Sequence, residues 1–501
     1  MILPTRVLDV GSSDNLQDPS LFHPPNNLKR QYVALSYCWG GQREAILTKQ
    51  RLDDRQLEFP MQTLPATFRD AIEITRRLGF QYLWIDALCI VQEGDNGDDF
   101  QREGARMDLV YGRAAITIAA GATENVSQGI FGAYSLNSVS ERVKEAFIPY
   151  DLPDGSIGKA YLRPESSTVG EHYVNEPLNT RGWTFQERIL SPRVAIYHSD
   201  QISWGCRTKI ANSRGPLNPN SRADSRTISV PSRHTDRMDV NLFRDSDIRL
   251  EGPAKARLMT YWTSLVQDYS ERALTYPQDK LKAMSSLARL VQRQTGDAYA
   301  AGLWASTLKT QLLWIYHSSI SKDEFVFPST YRAPSWSWAS INGRVTYEYP
   351  LSPNQITEHT WLLDIIDYRT SPSTDLDSLG EVIDGYIKVI GPLKFAERDS
   401  EGVCGGLFAI DRSDSTYFLR IDGAYANPIF TMDNFTGLWC LGVAQEMAQT
   451  ESLNDPVTVW TYVLLLVSTG SQDTFKRVGV VVLRHFERWF DDVPREVITL
   501  V

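Results

Sequence analysis

Short apolar runs alternate with amphipathic segments along the first 120 residues, and this alternation constrains the fold more than any other feature. The apolar runs Tyr32–Cys38, Phe80–Asp86 and Ala114–Ala120 are typical of buried strands. The segments between them, about residues 64–78 and 100–111, have the apolar periodicity of helices. Strand, helix, strand, helix and strand at these spacings predict right-handed crossovers and a parallel sheet.

The first helix has clear boundary signals. Its start lies in the stretch LPATFRD at residues 64–70, where Thr67 is the predicted N-cap and Asp70 follows three residues later. Gly79 is the expected residue just beyond the end of the helix, because glycine tolerates the left-handed conformation needed there.

Composition divides the chain into five parts. Residues 1–30 are predicted to be an irregular lead-in, and 31–206 the α/β domain. Residues 207–248 are rich in Ser, Arg, Asn and Asp and predict a connector. A helical region is expected over 249–325, and alternating runs predict a mainly antiparallel β domain over 326–501.

Charge and cysteine usage narrow the class of protein. A net charge of −10 argues against general nucleic-acid binding, because nothing offsets phosphate repulsion. The five cysteines are far apart and never form C-x-x-C, which argues against a disulfide framework or a zinc ribbon. There is no signal-peptide pattern and no apolar run of about 18 residues, so we expect a soluble, cytoplasmic protein without a membrane span.

Several common catalytic motifs are absent from the sequence. The seven histidines are scattered without H-x-x-x-H or H-E-x-x-H spacing, so no metal site is predicted. The patterns G-x-x-x-x-G-K-[ST], G-x-G-x-x-G and G-x-S-x-G are also missing. These absences argue against P-loop nucleotide hydrolases, ordinary dehydrogenases and α/β-hydrolases.

Five distinctive motifs follow one another along the chain. They are YVALSYCWG at 32–40, LPATFRDAI at 64–72, YLWIDALCIVQ at 82–92, REGARMDLVY at 102–111 and NTRGWTFQER at 179–188. In this order and spacing they resemble the fungal heterokaryon-incompatibility (HET) domain family. Two later stretches, 274–280 (LTYPQDK) and 331–340 (YRAPSWSWAS), extend the likeness toward the C-terminus.

The resemblance implies a cytosolic fungal protein linked to non-self recognition and regulated cell death. It also implies a fold distantly related to Toll/interleukin-receptor domains, some of which cleave NAD. No cofactor is expected to be required, and NAD is a candidate substrate. The chain lacks the nucleotide-binding and repeat domains of many recognition receptors, so a stand-alone effector or enzyme is the more natural expectation.

Two carboxylates are the predicted catalytic residues. Cleavage of a nicotinamide–ribose bond develops positive charge on the sugar, and a carboxylate stabilises that charge. Glu103 is the first candidate, its alternative role being an ion pair with a nearby arginine such as Arg102, Arg106 or Arg188. Asp86 is the second, because ligands bind at the carboxyl ends of parallel strands; its alternative role is that of a helix or turn cap.

The motif Ser36, Tyr37, Cys38 and Trp39 is the predicted substrate-binding turn. Trp39 is interpreted either as a stacking surface for a flat ligand or as a core residue. Cys38 as a nucleophile requires a neighbouring base such as His172 or His198, and a buried small hydrophobe is the favoured interpretation.

Glu187 and Arg188 complete the predicted binding residues. They are expected either to bind a substrate phosphate or to pair with each other. Further along, Trp336 and Trp338 are two residues apart on a predicted strand, which places both on one face.

Three functional hypotheses follow from the sequence. The first is an effector that binds, and hydrolyses, a dinucleotide such as NAD. The second is a cofactor-free tailoring enzyme of fungal secondary metabolism, which requires a deep apolar pocket for a small molecule. The third is a non-enzymatic signalling module that acts by forming a homo-oligomer.

Overall fold

The chain forms two compact units in a computed structural model, residues 1–244 and 245–501. The predicted helical and β regions therefore belong to one unit. The structure describes residues 1–12, 17–41, 45–55, 57–133, 146–152, 156–162, 176–199, 201–206, 210–212, 215–216, 249–317, 328–347, 359–397, 418–421, 437–448, 458–484 and 489–501.

The first unit contains thirteen strands among its described residues. They are β1 Val7–Asp9, β2 Ser20–Phe22, β3 Tyr32–Ser36, β4 Leu47–Thr48, β5 Tyr82–Trp84, β6 Val91–Glu93, β7 Ile116–Ala119, β8 Ala146–Asp151, β9 Ile157–Leu162, β10 Arg193–Tyr197, β11 Ile202–Cys206, β12 Ile210–Asn212 and β13 Gly215–Pro216.

Its described α-helices are mostly short. They are α1 Lys49–Asp53, α2 Ala66–Arg77, α3 Asp86–Cys89, α4 Asp98–Gly104, α5 Met107–Arg113, α6 Ile130–Ala133 and α7 Trp183–Leu190.

Nine of the strands form the central sheet, in the order β13-β12-β11-β10-β7-β3-β5-β1-β2. The four inner strands β10, β7, β3 and β5 run parallel, which confirms the predicted parallel sheet. Strands β3 and β7 are buried at every position, as expected for a sheet covered on both faces. The antiparallel hairpin of β10 and β11 extends the sheet on one side.

The expectation of an irregular lead-in over residues 1–30 is wrong. Strand β1 pairs antiparallel with β5 and with β2, so this segment completes one side of the sheet. Three-residue strands give too little periodicity to be recognised among Pro, Asn and Asp. The predicted connector 207–248 lies largely outside the described residues, but β12 and β13 within it extend the opposite side.

Helix α2 begins differently from its prediction and ends as predicted. Pro65 is the N-cap residue, and Thr67 is a buried helical residue instead of the cap. The Asp70 carboxylate accepts a hydrogen bond from the backbone N–H of Phe131 at 3.0 Å. Gly79 has a φ of +80° just beyond the helix, which confirms the C-terminal signal.

The single helix predicted over 100–111 is two helices. Helix α4 ends at Gly104 and α5 begins at Met107, with Arg106 in a non-helical conformation between them.

The second unit contains α8 Gly252–Ser270, α9 Lys282–Thr295 and α10 Leu308–Gln311 among its described residues. Gly296 ends α9 in the left-handed conformation, with a φ of +63°. The described strands are β14 Tyr299–Ala300, β15 Leu303–Trp304, β16 Ile315–His317, β17 Arg344–Thr346, β18 His359–Trp361, β19 Asp364–Pro372, β20 Val382–Glu397, β21 Phe418–Ile421, β22 Gly437–Ala448, β23 Thr458–Ser468, β24 Thr474–Arg484 and β25 Arg495–Leu500.

Five long strands of this unit close into a barrel-like ring. Strand β22 pairs with β23, β23 with β24, β24 with β25, β25 with β20, and β20 returns to β22. All pairs are antiparallel except β24 with β25, so the predicted antiparallel β domain is confirmed apart from that pair. A buried apolar cluster fills this region, formed by Leu438, Cys440, Val463, Leu465, Val478, Val481 and Phe490.

A tryptophan cluster packs around the carbonyl of Gly302. The indole N–H groups of Trp262 and Trp338 both donate to this oxygen, each at 3.0 Å. The predicted strand through Trp336 and Trp338 is wrong, because Trp338 begins a 3₁₀ turn. Both side chains are nevertheless fully buried.

Replacing Gly302 by Ala should destabilise the second unit by about 3 kcal/mol. Its φ is +98°, and an added Cβ lies 2.5 Å from Trp338 Nε1, so strain and overlap combine. Urea unfolding followed by tryptophan fluorescence measures the loss. Gly470→Ala is the matched control: its φ is +87° but its Cβ meets nothing within 4 Å, so it should cost about 1 kcal/mol. Equal losses in the two variants would contradict the packing argument.

Candidate active site

The carboxyl ends of the parallel strands meet at one edge of the central sheet. Ser36 ends β3, Asp86 follows β5, and His198 follows β10. Beyond β3 the chain turns at Gly40, whose φ is +69°. A Cβ at this position would lie 2.0 Å from the Cβ of Asn125, so only glycine lets the turn pack there.

Asp86 joins the turn after β3 to the end of β5. Its Oδ1 accepts hydrogen bonds from the Tyr37 hydroxyl at 2.6 Å and from the Ala87 backbone N–H at 2.7 Å. Its Oδ2 accepts from the Trp39 indole N–H at 2.9 Å. Burial raises the pKa of Asp86, and these three hydrogen bonds, together with the nearby Arg181, oppose that rise.

The aromatic rings of the turn form a wall beside Asp86. Tyr37 and Trp39 are stacked at 6.3 Å between ring centroids, and Phe68 meets Tyr37 edge-on at 5.2 Å. Tyr37 is buried, whereas Trp39 is partly exposed. They border a small cavity, which is lined by Tyr37, Trp39, Ala45, Pro65, Phe68, Ala87 and Val126.

Glu187, on α7, supplies a second buried carboxyl. Burial raises its pKa to about 8, and the negative charge of Asp86 adds to the rise. The hydroxyls of Ser36 and Tyr111 and the charge of Arg181 act in the opposite direction. Ser36 faces Glu187 but makes no hydrogen bond of ordinary geometry within the described ranges.

Seven residues thus form what we call the sheet-edge site: Ser36, Tyr37, Trp39, Asp86, Tyr111, Arg181 and Glu187. Arg181 lies close enough for its charge to lower the pKa of both carboxyls. Tyr111 and Arg181 are not among the residues that the sequence analysis predicts. Both residues lie within motifs of the sequence, Arg181 in NTRGWTFQER and Tyr111 at the end of REGARMDLVY. Membership of these motifs was the signal that could have identified them as site residues.

The structure separates Glu187 from the predicted partner Arg188. Arg188 donates to the Asn179 side chain at 3.1 Å, whereas Glu187 faces Ser36 and Tyr111. Successive residues of a helix point about 100° apart, so the two side chains do not face the same neighbours.

Glu103 contacts the N-terminal segment. Its Oε1 accepts a hydrogen bond from the Thr5 hydroxyl at 2.9 Å, and the side chain is buried. Burial raises the pKa of the Cys89 thiol to about 12, and the nearby negative charges of Asp86 and Glu103 add to the rise. These contacts favour a structural role for Glu103, and its catalytic role stays a prediction.

Cys38 packs as a small apolar residue. It lies in a buried cluster with Ala119, Leu178, Val194 and Ile196. Burial raises its thiol pKa to about 11, far from the range in which a cysteine is nucleophilic at neutral pH. This favours the hydrophobic interpretation of Cys38 over the nucleophilic one.

A histidine–glutamate pair holds the segment that leads to α7. His198 Nδ1 lies 2.6 Å from Glu176 Oε2, and the other Glu176 oxygen accepts from the Ser199 N–H at 3.1 Å. Both side chains are buried. Because Glu176 directly precedes the segment carrying Arg181, the pair anchors one half of the sheet-edge site. His172, the other predicted base, lies outside the described residues.

Residues 32–187 match the family model described as "Heterokaryon incompatibility protein (HET)". The match contains every residue of the sheet-edge site. No curated protein and no solved structure gives a significant match to the chain. Within the described ranges, no helix has both the length and the apolar character needed to cross a membrane.

The pKa of Glu187 predicts a pH-dependent stability. Because folding raises this pKa from 4.5 to about 8, the folded chain holds a proton that the unfolded chain releases. Stability from this group is full below pH 4.5 and falls between pH 4.5 and 8, by up to about 1.4 kcal/mol per pH unit. Urea unfolding at pH 5, 6, 7 and 8 measures the slope.

Glu187→Gln should remove this part of the slope, so the variant gains stability relative to wild type as the pH rises. Glu73→Gln, at an exposed carboxyl of α2, is the matched control and should keep the wild-type slope. Parallel curves for wild type and Glu187→Gln would show that Glu187 is charged in the folded protein throughout this range.

Proposed function

We propose that this chain, whose residues 32–187 match the heterokaryon-incompatibility (HET) family model, hydrolyses the N-glycosidic bond of a nucleotide. The first candidate substrate is NAD. The proposal rests on one observation: a carboxylate, Asp86, is fixed by three hydrogen-bond donors at the carboxyl end of a parallel strand, and the donor residues Tyr37, Trp39 and Ala87 line a small cavity.

The chemistry of the reaction explains why this carboxylate supports the proposal. Breaking a ribose–base bond develops an oxocarbenium-like sugar with positive charge. A fixed negative charge stabilises that state without having to reorganise during the reaction. Asp86 is held in this way, and Trp39 at the cavity border offers an aromatic face for a planar base.

In the proposed reaction Asp86, and not Glu103, is the first catalytic carboxylate. Asp86 is the charge-stabilising residue, Tyr37 positions it, and Glu187 is the second carboxyl of the site. Nucleotide cleavage in the cytoplasm would then be the means by which this effector acts in non-self recognition and cell death, as the family implies. The relationship to Toll/interleukin-receptor folds stays a prediction.

The two other hypotheses stay predictions. A tailoring enzyme requires a deep apolar pocket, and the small size of the cavity beside Asp86 bears on a metabolite and on a nucleotide alike. No observation on the described residues favours self-association as the primary function, and the homo-oligomer stays a prediction.

Nicotinamide release from NAD by the full-length chain tests the proposal. Asp86→Asn should lower kcat by about 100- to 1,000-fold, because it removes the charge and leaves a side chain of nearly the same shape. Glu103→Gln should stay within about threefold of wild type, since Glu103 contacts Thr5. Near-ultraviolet circular dichroism confirms that both variants are folded.

The opposite result would reassign the site. A large loss in Glu103→Gln with an active Asp86→Asn would make Glu103 the catalytic carboxylate. No turnover of NAD or of any other nucleotide by wild type would remove the proposed function.

A further inference from the structure

We infer, resting on the proposed function, that Gln92 is the positioning residue of Asp86: its side-chain amide fixes the backbone that carries the catalytic carboxylate. Gln92 ends the motif YLWIDALCIVQ and lies six positions after Asp86. The described lining of the cavity does not include Gln92, so its role is to position Asp86 and not to touch the substrate.

Helix α3, which begins with Asp86, is too short to fix its own orientation. It has four residues, from Asp86 to Cys89. A single helical turn orders several backbone torsions for very few hydrogen bonds, so such a turn is unstable without outside contacts. The direction of the Asp86 side chain therefore depends on the groups that hold this turn.

The Gln92 amide joins the first residue of this turn to the residue that follows its end. Its Nε2 donates to the backbone carbonyls of Asp86 and Ile90, each at 3.1 Å. An amide nitrogen carries two hydrogens, so it can serve both oxygens at once. The Ile90 N–H also donates to the Asp86 carbonyl, at 2.9 Å. Rotation of the Asp86 backbone would break these contacts together.

The carboxylate takes part of its position from the same turn. The Ala87 N–H, which belongs to α3, donates to Asp86 Oδ1 at 2.7 Å. The other two donors, Tyr37 and Trp39, come from the turn after β3. If α3 loosens, the carboxylate keeps only the donors on one side. A catalytic group displaced by about 1 Å can lose up to about 100-fold in rate.

The fold should survive the loss of this amide, because other contacts keep the turn in place. Arg6 Nε donates to the Cys89 carbonyl at 2.6 Å, and β5, which leads into the turn, pairs within the central sheet. Gln92 itself is only half-buried. Its replacement is therefore expected to affect catalysis more than folding.

Gln92→Met tests the amide donor, because methionine has a similar length and cannot donate. The kcat for nicotinamide release from NAD should fall about tenfold throughout the range from pH 5 to pH 8, as the carboxylate loses its fixed position. KM should stay within about twofold, because Gln92 does not contact the substrate. Near-ultraviolet circular dichroism confirms that the variant is folded.

Gln92→Glu makes the same contact depend on pH. At pH 8 the introduced carboxylate has no donor and faces two carbonyl oxygens, so kcat should fall at least as far as in Gln92→Met. At pH 5 a carboxyl beside these oxygens can hold a proton and donate it to one of them. Relative to wild type at the same pH, kcat should therefore recover about fivefold between pH 8 and pH 5, as one hydrogen bond returns.

Gln101→Glu, at an exposed position of α4, is the matched control for the added charge. Its kcat should stay within about twofold of wild type at every pH, because solvent and salt screen an exposed charge. The same pH dependence in Gln92→Glu and Gln101→Glu would overturn the positioning role. A kcat of Gln92→Met within about twofold of wild type would also overturn it.

Urea unfolding gives a second readout that does not depend on turnover. The stability of Gln92→Glu relative to wild type should fall as the pH rises from 5 to 8, because the folded state favours the protonated carboxyl. Gln92→Met should show no such slope. A slope in stability without any change in kcat would make Gln92 a structural residue only and overturn the inference.

Failure of the positioning role is distinguishable from failure of the proposed function. Wild type that releases nicotinamide, with both Gln92 variants keeping its kcat, would overturn the positioning role alone. Wild type that cleaves neither NAD nor any other nucleotide would overturn both.

Discussion

The hydrogen bonds that Tyr37 and Trp39 donate to Asp86 are the interaction on which the sheet-edge site depends. They connect the turn after β3 to the end of β5, two strands that already pair in parallel. The sheet brings the carboxyl ends of β3 and β5 together, and the hydrogen bonds fix the Asp86 carboxylate between these two strand ends. Without the parallel pairing, loops alone would have to bring together Trp39 and Asp86, which are 47 positions apart in the sequence.

The second constraint is electrostatic. Glu187 comes from a helix far along the chain, yet it lies near enough to Asp86 for one charge to affect the other. Arg181 offsets part of this repulsion. The Glu176–His198 pair anchors the segment that carries Arg181 to the same edge. The site is thus assembled from two halves, one fixed by strand pairing and one by a buried polar pair.

The sequence predicts those features that are local. The strands around residues 32–38 and 80–86, the end of α2 at Gly79 and the position of Asp86 follow from periodicity and from backbone preferences. The strands before residue 30 are too short to produce a pattern, and the pairing of β1 with β5 is a tertiary contact. Thr67 shows that a capping residue type loses its role when Pro65 precedes it and the side chain is buried.

Side-chain roles within helices were harder to predict than the helices themselves. Glu103 and Glu187 are both buried helical glutamates in family motifs, and only packing decides that one meets Thr5 and the other Tyr111. The break between α4 and α5 has only a weak signal in the sequence, because Gly104 lowers helix propensity there but no proline marks Arg106. The neighbours of a buried helical side chain, and therefore its role, can be identified only from the three-dimensional structure.

The ring of strands in the second unit has a consequence for biosynthesis. Strand β25 closes the ring by pairing with β20 and β24, and the Val501 carbonyl accepts hydrogen bonds from Ser335. On the ribosome, residues 382–484 emerge before this strand exists, so the edge of β20 at residues 387–392 and the start of β24 at residues 474–475 lack their partner during translation. Unpaired edges of this kind are sites of wrong association. The first unit can complete its sheet much earlier, so the two units mature at different times after synthesis begins.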